Sequence, residues 1–411
     1  MQKLQTLKGF RDFLPSKMII RNEVIKRLKK VFERYGFDEL QTPSVEYQEL
    51  LLGKYGEEAE KLMYLFKDPG KRNIGLRYDL TVPLARVVAS NQDLPKPFKR
   101  YQIQPVYRAE NTQKGRYREL YQCDIDIVGS SSPISDAEIL AIINDSLKSL
   151  GFTDFKIKIN SRKILFSSME KSGIKQNKWL TVAQSIDKLD KKEEDEVKKE
   201  LLNKGIQKSN IDKLFANLKS AIPDKYLSEV IKFAKKFNVG NSLEFTPTLS
   251  RGLDYYTGPI FETVVKTPQI GSITGGGRYD QLLKNLGGLD LPAVGTSIGL
   301  DRVCNVIEEL NLWPDITKTN SKVLVTIFSE DLINKSLEIL QKLREKDINT
   351  ELFQGIESLD KQLKYADKKG IPYVIIIGPE ETEKEIVTLK DLNKKTQEKL
   401  SLEKTISKLS K

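Results

Sequence analysis

The sequence predicts an α+β fold: an antiparallel sheet flanked by helices, with a separate α/β domain at the C-terminal end. Three observations predict it. Helical and strand signals alternate up to Leu150, and the strands are joined by hairpins, as antiparallel pairing requires. From residue 156 to 240 the composition shifts to short amphipathic stretches with charged outer faces, such as DKKEEDEVKKELLNKG. After a linker at Trp313–Ser321, strand and helix signals cover a length able to fold alone. The expected organisation of the 411 residues is a central domain over 1–155 and 241–315, interrupted by a helical insertion at 156–240 and followed by a domain at 321–411.

Each element has its own signal. Apolar residues at Ile20, Val24, Leu28, Val31, Phe32 and Tyr35 have a helical period, with Pro15-Ser16 as start and Gly36 as C-cap. Strands are expected at Phe37–Gln41, ending before Pro43, and near Ile74–Arg77, Phe98–Arg108 and Glu119–Val128, the last two joined across Lys114-Gly115. Strand signals resume at Leu243 and include Ile260–Val265, and a helix begins near Leu300. The last domain reads as strand Val323–Phe328, helix Leu332–Arg344, strand Asn349–Phe353, helix Leu359–Lys369, then strands Tyr373–Ile377 and Glu385–Leu389.

Composition narrows the chemistry. The chain has no histidine, which removes Ser-His-Asp and Cys-His catalysis and the common zinc sites. Reactions that depend on charge stabilisation more than on proton transfer remain, phosphoryl or nucleotidyl transfer foremost. A net charge of +11 fits a polyanionic partner, although lysine-rich surfaces often signify only solvation. The two cysteines, Cys123 and Cys304, form no disulfide framework or CxxC pair. With no membrane-length apolar run and no signal-peptide core, a reduced, cytoplasmic setting is expected.

The richest stretch is YQIQPVYRAENTQKGRYRELYQCDIDIVG, residues 101–129. Arg108, Arg116 and Arg118 on a hairpin suit phosphate, because a guanidinium fork binds two phosphate oxygens at once. Asp124 and Asp126, two apart, share a face of the second strand. GSITGGGRYD (271–280) lacks the endings of a P-loop and of a dinucleotide fingerprint. Its glycines read first as a bulge or tight strand crossing, with Arg278 and Asp280 equally balanced between structure and function. LSRGLDYYTGPIFE (249–262) joins Arg251, Asp254, Tyr255 and Tyr256 to a strand. In isolation it reads as a surface loop.

Taken together and in order, LKGFRDFLP, LRYDLT (76–81), the arginine hairpin, RGLDYYTG, GGGRYD and GTSIGLDRV (295–303) resemble class II aminoacyl-tRNA synthetases, specifically the histidyl-tRNA synthetases. The resemblance extends from Leu7 through KYADKKGIPYVIIIG, similar to the family's anticodon-binding domain. It implies a six- or seven-stranded antiparallel catalytic sheet and a homodimer with the helix before Pro43 at its interface. The implied substrates are L-histidine, ATP and tRNA-His, with Mg²⁺ bridging the phosphates and no metal site of the protein's own. Histidine's carboxylate, already ionised, attacks the α-phosphate without a general base.

The resemblance also implies roles. Arg108 holds the α-phosphate, Glu110 contacts adenine, Arg116 reaches the distal phosphates, and Arg302 contacts ATP from the opposite side. Arg251 stabilises the pentacoordinate α-phosphate, so Arg251 and Arg108 are the catalytic pair. Leu120 stands where many members carry a phenylalanine that stacks on adenine, and a leucine has no π-face to offer. Asp79, Thr81 and Gln122 face the α-amino group; Asp126 and Tyr256, with Tyr255 beside it, face the imidazole. Taken singly, Asp79 reads as an ion-pair partner of Arg77 or Lys71, Asp126 as a backbone cap, Cys123 and Tyr121 as packing residues, and Lys364, Lys368 and Lys369 equally as a solvated face or a tRNA surface. Two competing functions remain at this stage. One is a synthetase-like regulatory subunit of ATP phosphoribosyltransferase, disfavoured by Arg251 and by the C-terminal domain; the other is a tRNA sensor.

Overall fold

The computed structural model describes residues 4–53, 60–112, 117–250, 256–268 and 270–410. The chain forms two compact units, residues 1–12 with 24–312 and residues 13–23 with 313–411.

The larger unit is built on an eight-stranded sheet. Its order is Asp38–Glu39, Phe98–Tyr107, Glu119–Val128, Ala293–Gly299, Thr274–Arg278, Pro259–Val265, Phe155–Ser161 and Leu243–Phe245. The six inner strands are antiparallel, as expected, and a short parallel strand extends each edge to make eight. The edge strands fall within the segments expected as strands at Phe37–Gln41 and from Leu243, but they are only two and three residues long. Asn73–Leu76 instead joins Val45–Tyr47 and Leu65–Lys67 in a separate three-stranded sheet.

Helix Pro133–Ser149 packs on the strands at the sheet's centre. Ser132 caps it by accepting from the Ile134 N–H, Pro133 occupies the first turn, and Ile139, Leu140, Ile142, Ile143 and Leu147 are buried. The expected helical segment starts at Arg162, not at 156, because Phe155–Ser161 is a strand paired with Pro259–Val265. Its buried positions alternate with exposed or partly exposed ones only at first, and the strand ends fully buried. Four further helices follow, from Trp179–Ile186 to Lys225–Lys236, and Leu165, Val182, Ile186, Val197, Leu214 and Leu218 form a local core there.

The smaller unit holds a five-stranded sheet ordered Thr350–Leu352, Val323–Val325, Tyr373–Ile376, Ile386–Asp391, Thr396–Ser401. The first three strands are parallel and the rest antiparallel. Val323, Val325, Leu343, Ile375 and Leu389 form one apolar cluster, and Leu324, Ala366, Ile371 and Val374 another. Lys364 pairs with Asp360 at 3.3 Å and Lys369 with Glu351 at 2.5 Å, both near the surface.

Candidate active site

Strand alternation puts Leu120, Gln122, Asp124 and Asp126 on one face of Glu119–Val128. Register then sets Val106, Gln104, Gln102 and Arg100 opposite them on one side. On the other side Gly299, Ser297 and Gly295 stand opposite Gln122, Asp124 and Asp126. Gly275 and Gly277 continue the same rows on the next strand. One face of the sheet is therefore polar where the hairpin runs and, Ser297 apart, glycine-lined beside it. The bareness is required: a Cβ on Gly295 would lie 1.9 Å from Asp126 Oδ1, and one on Gly277 2.9 Å from the Tyr256 ring.

The polar part is dominated by buried charge. Arg100 is fully buried; one of its terminal nitrogens lies 2.8 Å from Asp126 Oδ2, and it donates to the Leu80 carbonyl and to Gln102 Oε1, both at 3.3 Å. The Tyr279 hydroxyl donates to Asp126 Oδ1. Burial, then the Asp126 charge, pushes the Tyr279 phenol well above its usual range, so it remains a donor. Asp124 is 4% exposed, and burial pushes its carboxyl up to about 7. Arg100 and the nearby Ser297 hydroxyl draw it down, while Asp126 and Asp79 push it up. Asp79 Oδ1 accepts the Thr81 and Val82 N–H groups at 3.1 and 2.9 Å, holding the first turn of helix Thr81–Ser90. Gln122 Nε2 donates to Ser297 Oγ at 2.7 Å. Gln122 Oε1 and Asp124 Oδ1 are buried without a hydrogen-bond partner.

A second cluster lies around Tyr78. The Arg108 guanidinium sits 4.6 Å from the centre of the Tyr78 ring, and its Nε reaches the Tyr78 carbonyl at 3.3 Å. The Tyr78 hydroxyl donates to Glu110 Oε1 at 2.6 Å, and burial pushes the phenol up to about 12. Leu120 is the register partner of Val106 and is half-buried. Arg302, on helix Leu300–Glu309, donates to the Ser272 carbonyl. Asp301 next to it pairs with Arg11 at 2.8 Å and accepts from the Tyr121 N–H.

These geometries sort the expected site residues. Asp79, Gln122 and Asp126 share one electrostatic neighbourhood, centred on Arg100 and Asp124, and Thr81 opens the helix that Asp79 caps. Tyr256 packs beside Gly277 and near Tyr279. Arg108 and Glu110 meet through Tyr78. Arg116, Arg251 and Tyr255 lie outside the described residues. Arg77 is not committed to Asp79: it donates to the carbonyls of Thr42, Pro43 and Pro105 at 2.8, 3.1 and 2.7 Å. Arg278 is structural, because it is 4% exposed and forks onto Asp136 while Tyr226 donates to the same carboxylate.

Sequence reasoning missed Tyr78, Arg100, Ser297 and Tyr279. A polar Arg100-x-Gln102-x-Gln104 alternation inside a strand was the available signal for Arg100. The other three declare themselves only through register. Cys123 and Cys304 are buried. Among the described residues no cluster of three or more Cys, Asp or Glu side chains could hold a metal, and no helix is long and apolar enough to cross a membrane.

Comparison with known proteins places these features in context. Residues 9–303 match the family model described as histidyl-tRNA synthetase, and residues 322–411 match an anticodon binding domain. A histidine–tRNA ligase from Gloeobacter violaceus is 40% identical, the alignment covering 98% of this chain and 97% of that protein. The crystal structure of histidyl-tRNA synthetase from Nostoc sp. PCC 7120 superimposes with a TM-score of 0.87 at 30% identity, covering 99% of this chain and all of that one. A Bacillus halodurans structure described as an ATP phosphoribosyltransferase regulatory subunit/histidyl-tRNA synthetase shares the fold at 19% identity and a TM-score of 0.73, covering 88% of this chain and 96% of that one.

Proposed function

The chain belongs to the histidyl-tRNA synthetase family and ligates histidine to tRNA with ATP, and from that premise we propose how its residues divide the work. In the first step the histidine carboxylate attacks the α-phosphorus of ATP. An acyl–phosphate bond forms, the bond to the β-phosphate oxygen breaks, and pyrophosphate leaves. In the second step the oxygen of a hydroxyl on the tRNA's 3′-terminal ribose bonds to the histidyl carbonyl carbon, the acyl–phosphate bond breaks, and AMP leaves with its phosphate taking the hydroxyl proton. Neither nucleophile in this scheme needs a histidine base, which suits a chain that has none.

The polar face carries the assignment of the amino-acid pocket. Its buried atoms without a partner include the acceptors Gln122 Oε1 and Asp124 Oδ1 beside the donor Arg100 Nε, and the two acceptors call for donors on the ligand, an ammonium and an N–H. Asp79, Thr81 and Gln122 form the α-amino end. Asp126 and Tyr256, with Tyr255, form the imidazole end; there Arg100 and Tyr279 fix the Asp126 carboxylate in place. A substrate without the imidazole N–H would leave a buried acceptor unpaired. Arg108 takes the α-phosphate, Glu110 and Leu120 the adenine, Arg116 and Arg302 the distal phosphates, and Arg251 the charge that builds on the α-phosphate. Mg²⁺ enters on ATP as part of the substrate, liganded by phosphate oxygens and water. A homodimer working in the cytoplasm completes the proposal. The anticodon-binding match at 322–411 favours this over a regulatory subunit.

Histidine-dependent ATP–pyrophosphate exchange, followed by charging of tRNA-His, tests the assignment with wild type and Arg251→Ala. The expected outcome is exchange in the wild type and a loss of about 100-fold or more in the variant, the usual scale for removing one transition-state donor. Exchange at the wild-type rate in the variant removes Arg251 from its role.

A further inference from the structure

Tyr78 has no place in the roles above, although two groups assigned to the nucleotide converge on it. Its own position is fixed from several sides. Arg77, next in the chain, gives its N–H to the Ser44 carbonyl at 3.0 Å and accepts the Tyr107 N–H at 2.9 Å. The buried Arg77 guanidinium holds the carbonyls of Thr42, Pro43 and Pro105. The Tyr78 ring packs with Leu51 and Met63 in a small apolar cluster. Two long, rotatable side chains are referred to this fixed ring. The Arg108 guanidinium lies 4.6 Å from its centre, and the Tyr78 hydroxyl gives its hydrogen to Glu110 Oε1 at 2.6 Å. Arg118 Nε holds the Glu110 carbonyl at 3.3 Å, so the backbone and the carboxylate of Glu110 are both pinned. Burial keeps the phenol protonated well above neutral pH, and the hydroxyl remains a donor.

We propose that Tyr78 is a positioning residue that sets the preference for adenine: its hydroxyl holds the Glu110 carboxylate turned toward the base's exocyclic amino group. This rests on the placement of adenine at Glu110. A carboxylate only accepts hydrogen bonds, and once the ribose is attached the exocyclic amino group is the one N–H donor that adenine presents. Glu110 can therefore read the base only through that group, and only while its carboxylate keeps the right rotation. Guanine carries a carbonyl oxygen at the same place, which a fixed carboxylate repels. The ring and the hydroxyl of Tyr78 have separate duties: the ring supports Arg108, and the hydroxyl supports Glu110. Removing the hydroxyl alone should then weaken recognition of the base and leave the phosphate chemistry in place.

The test is histidine-dependent pyrophosphate exchange with ATP and with purine riboside triphosphate, which lacks the exocyclic amino group. The wild type should prefer ATP in kcat/KM by about tenfold or more, the scale of a hydrogen bond to a charged group. Tyr78→Phe keeps the ring and loses the hydroxyl. Its KM for ATP should rise roughly tenfold, while kcat and KM for histidine each change by less than about threefold. Its use of the analogue should stay at the wild-type level, so most of the preference disappears. Glu110→Ala should also remove the preference, and Tyr78→Phe combined with it should cost no more than Glu110→Ala alone, because the hydroxyl acts through that carboxylate. Equal losses with ATP and with the analogue in Tyr78→Phe, the mark of a merely structural role, overturn the proposal. So does an unchanged preference, or an additive loss in the double variant. A wild type indifferent to the amino group, or a Glu110→Ala variant that keeps the preference, counts instead against Glu110 as the adenine contact and withdraws the proposal with it.

Discussion

Asp126 and Arg278 show how differently two buried charges serve this molecule. Asp126 is 4% exposed and is held by Arg100 and Tyr279. Its partners neutralise and orient a carboxylate that lies beside two unsatisfied acceptors on the ligand face. Arg278 is equally buried, but all its donors go to Asp136, Asp280 and the carbonyls of Ser130 and Ser132, which tie its strand to helix Pro133–Ser149. Burial pushes the Asp136 carboxyl up even with Arg278 beside it, so the carboxylate depends on that guanidinium. Arg278→Met should therefore destabilise the protein by about 3–5 kcal/mol, the cost of leaving one member of a buried pair unpaired. Urea denaturation followed by far-UV circular dichroism measures it, and a loss under about 1 kcal/mol would contradict the structural role. Lys364 and Lys369, in contrast, form near-surface pairs whose contribution is small.

At the scale of the element, the glycine strand Thr274–Arg278 is the instructive one. Its composition reads as a bulge or a crossing, yet its register runs unbroken against both neighbours. The glycines answer to closeness on both faces. A Cβ on Gly276 would lie 2.1 Å from the Gly295 carbonyl oxygen, and one on Gly277 2.6 Å from that of Pro259. Backbone atoms cannot yield as a flexible side chain can. Gly276→Ala should cost more than about 2 kcal/mol in thermal or urea unfolding, with loss of exchange activity. A variant of unchanged stability would show that the strands can part at no cost. The hairpin strand Glu119–Val128 was legible to the residue, because Gln122, Asp124 and Asp126 face one way while Cys123, Ile125 and Ile127 face the other. Strand Thr396–Ser401 and helix Leu402–Leu409 were not. The strand exposes four of its six residues, and the helix buries only Thr405 and Leu409, so neither repeats an apolar period long enough to read.

For the whole molecule, the absence of histidine acquires a meaning once the substrate is histidine. A ribosome translating this chain never waits for charged tRNA-His, the product the enzyme supplies. Under histidine starvation its synthesis should continue while that of histidine-containing proteins of similar length falls. Ribosome profiling or pulse labelling in starved cells measures the ratio; a matching fall would count against the idea. The proposed chemistry permits such a composition, since the attacking carboxylate is already ionised and needs no histidine base.

The sequence by itself determined most of the elements, their order and the identity of the family. These depend on local periodicity and on ordered motifs, which neighbouring residues carry among themselves. Tertiary structure alone decided which buried polar groups are satisfied within the fold and which are not. That Arg100 stands against Asp126, that Tyr78 links Arg108 to Glu110, and that Ser297 accepts from Gln122 follow from register and packing between segments up to about 175 residues apart. Burial converts those juxtapositions into energy, because an acceptor without a partner costs little in water and much inside a sheet.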